Sequence, residues 1–358
     1  MSKAVSRIDR SSLTAWSAAV LETARVPGAD AMVIAGYLAE ADERGHPSHG
    51  TDQLPSYYRG FSEGHLNPAP SITVERRRGS LAVVDGDNGL GHVVADRSMD
   101  LALELAREHG IGMVAVKRSN HFGMAGHWPL KAVRQNMIGF TTTNGPPVMA
   151  PWGGRVGAIC NNPFAWGIPA GEEPPILLDM ALTSGARGKV RLANQRGEQI
   201  PEGWALDSEG RPTTDAQAAL DGVMLPLGGH KGSAIAIVNE VLASGLSDSL
   251  FLTQITSVTM ASAGVHVSWQ IGHMFLVIDP SALRPIEEFL AHVDRIIRQI
   301  KATPPAVGSD GVQVPGEGGA RRAAEAARLG TPMAQQSIEK LSALGEQVGI
   351  GFPSPITT

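Results

Sequence analysis

The 358-residue chain contains a single cysteine, Cys160. No intramolecular disulfide can form, and a cysteine-based zinc cluster is excluded. No stretch approaches the roughly 20 uninterrupted apolar residues that a membrane span requires. The segment Met1 to Arg10 is polar and lacks the apolar run of a secretory signal. The net charge is −5, and no basic stripe of the nucleic-acid-binding kind is present. These absences lead to the expectation of a globular cytoplasmic protein with no membrane or nucleic-acid partner. Familiar nucleotide signatures are missing too. A Rossmann site needs G-x-G-x-x-G between a strand and a helix, and Gly86, Gly89 and Gly91 do not fit that order. The Walker pattern fails at Gly228-Gly229-His230-Lys231-Gly232, which lacks the gap before Gly-Lys.

What is abundant is glycine, with 42 residues, well above the usual share of about 7 %. Many glycines cluster beside His, Pro or Lys, as in ordered loops. The length predicts two packed lobes. Helical spacing appears at Leu13, Trp16, Ala19, Val20 and Ala24, with Ser11 and Ser12 as candidate caps. A second helix is expected from Asp30 to near Gly45, and a third through Leu54, Tyr57 and Tyr58. Strands are expected at Leu81–Val84, Met113–Val116, Ile138–Thr143, Ile176–Asp179 and His273–Ile278. Helices are expected at Asp96–Glu108, from the Gly123 region to about Asn136, at Ala234–Leu242 and at Ile286–Ile300. Strand and helix alternate through the middle, which predicts an α/β lobe.

Several loops carry chemistry-bearing side chains. His49 lies between Ser48 and Gly50. Histidine titrates near neutrality and suits proton transfer; a capping or solvent-facing histidine fits the same local sequence. His121 follows a strand, where α/β sites commonly lie, or is bonded within its own turn. Asp179 ends an apolar strand. It can accept from a ribose hydroxyl, orient a histidine, or cap the following segment through Ser184. Lys231, with His230 and Gly232 at a helix start, can hold a phosphate through N–H groups and charge, or simply mark a tight turn. His46, His49, His121 and His127 raise the question of a metal. His46 and His49 straddle Pro47, however, and cannot share a helical face, and His-Glu-x-x-His is absent. No metal is therefore expected.

Taken in order, the motifs are similar to a known family. They are Ser48-His49-Gly50, Asn120-His121-Phe122-Gly123, Met149-Ala150-Pro151-Trp152-Gly153-Gly154, Asn162-Pro163, Asp179-Met180-Ala181, Leu225 to Gly232, Gly272-His273, Asp279-Pro280 and Pro315-Gly316-Glu317. The chain resembles the malate/L-lactate dehydrogenase family of the non-Rossmann type, which includes ureidoglycolate, sulfolactate, diketogulonate and piperideine-2-carboxylate enzymes. The resemblance implies an α/β fold. A dinucleotide-binding lobe with a mixed, partly antiparallel sheet would span residues 119–280. A mainly helical substrate and dimerisation lobe would combine residues 1–118 and 281–358. It implies hydride transfer between NAD or NADP and a small 2-oxo acid, 2-hydroxy acid or cyclic imine, in a homodimer. Proton transfer falls to His49 and His121, with Ser48 orienting the site. Gly145, Asp179, Met180, Ala181, Ser184, His230, Lys231, Gly232, Pro315, Gly316 and Glu317 would contact the cofactor.

Two departures stand out. The family's usual arginine, four residues after the Ser-His-Gly histidine, is Gln53 here. Glutamine lacks the charged fork that grips a carboxylate. Gln53, Arg44 and Asn120 are the expected substrate contacts, with Arg59 another cation in reach. The usual Gly-Thr-Asn-Pro reads Cys160-Asn161-Asn162-Pro163. Arg191 and Arg196 lie where a 2′-phosphate would decide between NAD and NADP. Two other readings compete: a relative that has lost catalysis and serves as a binding protein, and a histidine-metal hydrolase.

Overall fold

The computed structural model describes residues 5–255 and 269–356. Strand β1 (Val5–Ile8) leads into helix α1 (Arg10–Thr23). The cap is Asp9 rather than Ser11 or Ser12: its carboxylate accepts the Ser12 N–H at 2.8 Å. The carboxylate satisfies an open donor and faces the positive end of the helix. Helix α2 (Gly28–Glu43) follows directly on Pro27, and two short 3₁₀ turns, Pro47–His49 and Thr51–Gln53, connect it to α3 (Leu54–Ser62). Leu13, Trp16 and Leu21 of α1 pack with Ile34 and Leu38 of α2 and with Tyr57 of α3.

Next come β2 (Thr73–Arg78), β3 (Leu81–Asp85), α4 (Gly91–His109) and β4 (Ile111–Ser119). Gly110 ends α4 in the left-handed region, at φ 79°, where glycine has no Cβ to clash. Helix α5 (His127–Val133) is shorter than expected, because the chain turns through Gly123 at φ 75° first. Strands β5 (Ile138–Thr143), β6 (Phe164–Ile168) and β7 (Ile176–Met180) follow. A small subdomain holds α6 (Arg187–Arg196), β8 (Ala205–Leu206), β9 (Pro212–Thr213), α7 (Ala216–Asp221) and β10 (Val223–Met224). Then come α8 (His230–Glu240), β11 (Ile271–Ile278), α9 (Ile286–Lys301), α10 (Glu317–Leu329), β12 (Thr331–Ala334) and α11 (Gln335–Val348).

The main sheet has seven strands in the order β2-β3-β4-β11-β5-β6-β7. Only β3 and β4 run parallel; every other pair is antiparallel. The fold is therefore α/β with a mixed sheet. Strand β11 sits between β4 and β5, and Met274, Phe275 and Val277 are buried. This explains its unbroken apolar run. The sheet crosses the expected division after residue 118, since β2, β3 and β4 share it with β5, β6, β7 and β11. A second core unites the two ends of the chain. Met333, Leu341 and Leu344 pack with α1 to α3, and β12 pairs with β1. No helix among the described residues is long and apolar enough to cross a membrane.

Candidate active site

The turn carrying His49 is held from below. Asp42, near the end of α2, accepts from the Thr51 backbone N–H at 3.0 Å and from the Thr51 hydroxyl at 2.6 Å. Gly50 passes so close that a Cβ there would overlap the Asp42 carboxylate. Burial pushes the Asp42 carboxyl up to about 7, against the opposing pull of the two Thr51 bonds. Gln53 donates to the Ser48 carbonyl at 2.7 Å, and the Ser48 hydroxyl lies 3.0 Å from His49 Nδ1. The turn is thus fixed by short contacts rather than by helix geometry.

His121 arrives from the other side, two residues past β4. Asn120 anchors its loop. The Asn120 amide donates to Asn88 Oδ1 and to the Gly89 carbonyl, each at 3.0 Å, and its oxygen accepts the Trp269 N–H at 2.9 Å. The His121 and His49 rings stack with centroids 5.5 Å apart and planes 28° apart. The hydroxyl of Tyr57 lies 2.5 Å from His121 Nδ1. Burial raises the Tyr57 pKa far above its ordinary value, so the phenol stays protonated and can donate. The same hydroxyl can accept from Nδ1–H, so it holds the His121 ring in either protonation state. His49 is pulled down to about 4, first by burial and then by His46 and His127.

A third histidine braces the sheet beneath. His273 of β11 is fully buried, with Nδ1 2.8 Å from the Thr143 hydroxyl and Nε2 2.8 Å from the Ser119 hydroxyl. It links the ends of β4 and β5, from which the loops bearing His121 and Gly145 emerge. Burial drops its pKa to about 3, which keeps it a neutral bridge.

Between these loops lies a cavity of about 400 Å³. Of the expected residues, Ser48, His49, His121, Gly145 and Ala181 line it. Gly145 has no room for a side chain beside Cys160, since a Cβ would stand 3.0 Å from the thiol sulfur. The other expected contacts lie outside the lining. Asn120 and Gln53 are committed to the loop bonds described above, so neither offers its amide to a ligand in this cavity. Arg44 is turned to Glu40, 3.5 Å away. Asp179 accepts from the Gly126 N–H at 2.8 Å, and not from Ser184. Ser184 instead donates to the Pro226 carbonyl at 2.9 Å.

The remaining expected cofactor contacts also lie outside the lining. Met180 closes β7 opposite Phe164. The Pro315 carbonyl accepts the Leu177 N–H at 3.0 Å, which lays the Pro315-Gly316-Glu317 segment along β7. Glu317 pairs with Lys301 at 2.7 Å. His230 and Lys231 open α8 after Gly228 and Gly229, both left-handed, and His230 sets its ring against Trp152. Gly232 donates to the Leu227 carbonyl at 3.0 Å. Among the described residues, no group of three or more His, Cys, Asp or Glu side chains is placed to hold a metal ion. Tyr57, Trp269 and Arg187 belong to the site without having been expected there. Tyr57 reads in the sequence as one more apolar member of the α3 stripe.

The match to known proteins runs nearly the whole chain. The family described as malate/L-lactate dehydrogenase matches residues 8–342. The chain belongs to this family. It is similar to the L-sulfolactate dehydrogenase of Methanothermobacter thermautotrophicus, with 37 % identity over 333 residues, covering 93 % of this chain and 94 % of the relative. It is also similar to the (2R)-3-sulfolactate dehydrogenase (NADP(+)) of Chromohalobacter salexigens, with 37 % identity over 298 residues, or 83 % of this chain and 86 % of the relative. Among solved structures, the sulfolactate dehydrogenase from Methanocaldococcus jannaschii superposes with a TM-score of 0.90 at 34 % identity, covering 97 % of this chain and 98 % of the other. The mixed sheet with β11 at its centre is therefore this dehydrogenase family's fold, reached without a glycine fingerprint.

Proposed function

We propose that the chain is an NAD- or NADP-dependent oxidoreductase acting on a small 2-oxo acid, 2-hydroxy acid, or related carbonyl or cyclic imine. Family membership supports the reaction class. The observation that carries the site assignment is the stacked His49–His121 pair on the cavity wall, with Tyr57 at His121 Nδ1. Two adjacent imidazoles resist double protonation. Burial already keeps His49 neutral near pH 7. His121, braced at Nδ1 by Tyr57, is the ring that exchanges a proton with a substrate oxygen or nitrogen through Nε2. His49 orients the substrate beside it, and Ser48 orients His49.

The nicotinamide, when bound, supplies or accepts the hydride. Gly145 and Ala181 would face its ring, and the β7 flank with Asp179 and Pro315-Gly316-Glu317 would take the rest of the dinucleotide. Lys231 would add positive charge at the start of α8. Ser184 and Gly232 would hold the loops around it.

A cytoplasmic homodimer completes the proposal. Its support is the outer side of α8, where Ile237 is 51 % and Val238 56 % exposed, with Val241 at 58 % in the next turn. Aliphatic groups clustered in this way mark an interface.

The test is direct. Purified protein should shift and enhance the fluorescence of NADH or NADPH. With a panel of 2-oxo acids and cyclic imines, His121→Ala should cut kcat about 10²–10⁴-fold while nicotinamide binding persists. A wild-type chain that binds neither nucleotide would defeat the reading.

A further inference from the structure

The cavity wall carries a charge that forms no direct ion pair among the described residues. Arg187, the first residue of α6, lines it together with Ser48, His49 and His121. Its Nη2 donates to the Leu220 carbonyl at 2.8 Å, which fixes the guanidinium against α7. Its Nε is buried without a hydrogen-bond partner. No ion pair to Arg187 occurs among the described residues, and no Asp or Glu side chain lines the cavity. Two charges act on it from farther off. Arg191 opposes its positive charge and Asp221 favours it, while burial pulls its pKa below the ordinary value. A guanidinium nevertheless stays protonated in a protein.

A half-buried cation with no carboxylate in direct contact is costly unless something anionic completes it. A guanidinium suits an oxyanion of planar, two-oxygen geometry. Two of the residues expected to hold the substrate make other contacts. Arg44 faces Glu40, and Gln53 is spent on the Ser48 carbonyl.

We infer that Arg187 is the anion anchor of this site and holds the carboxylate of the substrate across the cavity from the histidine pair. The inference rests on reading the cavity as a 2-oxo acid site. An oxyanion in this place has a second source, a phosphate of the dinucleotide, and the experiment separates the two.

The probes are NADH, then oxamate and its uncharged methyl ester, each read through nicotinamide fluorescence in the enzyme–NADH complex. Wild type is expected to bind oxamate at least about tenfold more tightly than the ester. Arg187→Gln should weaken oxamate about ten- to a hundredfold, with ester and NADH affinities nearly unchanged. Arg187→Lys, which keeps the charge but not the fork, should fall between. Should the glutamine variant fail to fold, the acid-to-ester ratio of wild type against Arg187→Lys still decides. Equal oxamate binding in wild type and variants would overturn the inference. Loss of NADH affinity with the oxamate-to-ester ratio intact would also overturn it and assign the arginine to a cofactor phosphate. Absence of nicotinamide binding in wild type would bring down the dehydrogenase reading and this inference with it.

Discussion

Asp42 shows how much of this site depends on side chains that touch no ligand. It is 6 % exposed and holds the turn after His49 through two bonds to Thr51. Its carboxyl is raised from 3.8 to about 7, with burial the largest cause. The folded state therefore favours the protonated form, while the unfolded chain ionises near pH 4. Stability from this group is full below the unfolded value. It is lost as pH rises through the window from about 4 to about 7, by a few kcal/mol as an order of magnitude. Asp42→Asn keeps an oxygen for Thr51 and cannot ionise. Its melting temperature relative to wild type should climb across that window and then level off. A difference that stays flat from pH 4 to pH 8 would refute the assignment. His49, Ser48 and His121 were legible as residues because imidazoles in Gly- and Ser-rich loops are chemically conspicuous. Tyr57 and Arg187 were not. A buried tyrosine in an apolar stripe carries no local mark, and Arg187 reads as ordinary helix-surface charge until α7 is seen to hold it.

At the scale of elements, the loop into α8 is defined by close backbone approach. A Cβ on Gly232 would lie 2.1 Å from the Leu227 carbonyl oxygen. Gly232→Ala must push the turn apart, at a cost of about 1–3 kcal/mol. It should lower the melting temperature and weaken NADH binding together, as calorimetry and fluorescence titration would show. An alanine variant with wild-type values in both would mean that the turn is freer than its geometry implies. Strands rich in apolar or β-branched residues, such as β5 and β11, could be read from the sequence. Strand β2 could not, because all six of its residues are exposed and three are consecutive arginines, Arg76 to Arg78. Charge on an edge strand guards against pairing with other chains and erases the alternation by which strands are recognised. Strand β6 went unread because it directly follows Pro163 and contains Gly167, two residues that interrupt a strand pattern.

Across the whole molecule, the exposed aliphatic side of α8 carries the prediction about assembly. Sedimentation of wild type should give twice the 37.6 kDa chain mass, and Val238→Asp should shift the population to single chains. An aspartate variant that keeps the doubled mass would move the interface elsewhere. The α/β class and its mixed sheet followed from motif order. The way the sheet bridges residue 118 did not, because pairing partners far apart in sequence leave no local trace. The position of β11 has one more consequence, for the order of events during synthesis. It is the last strand of the sheet to leave the ribosome and the one that joins β4 to β5. Until residue 278 has emerged, both neighbours must wait with open edges, so the nascent chain holds two half-sheets ready to pair with a stranger. Its dependence on chaperones should therefore peak late, when most of the polypeptide is already made.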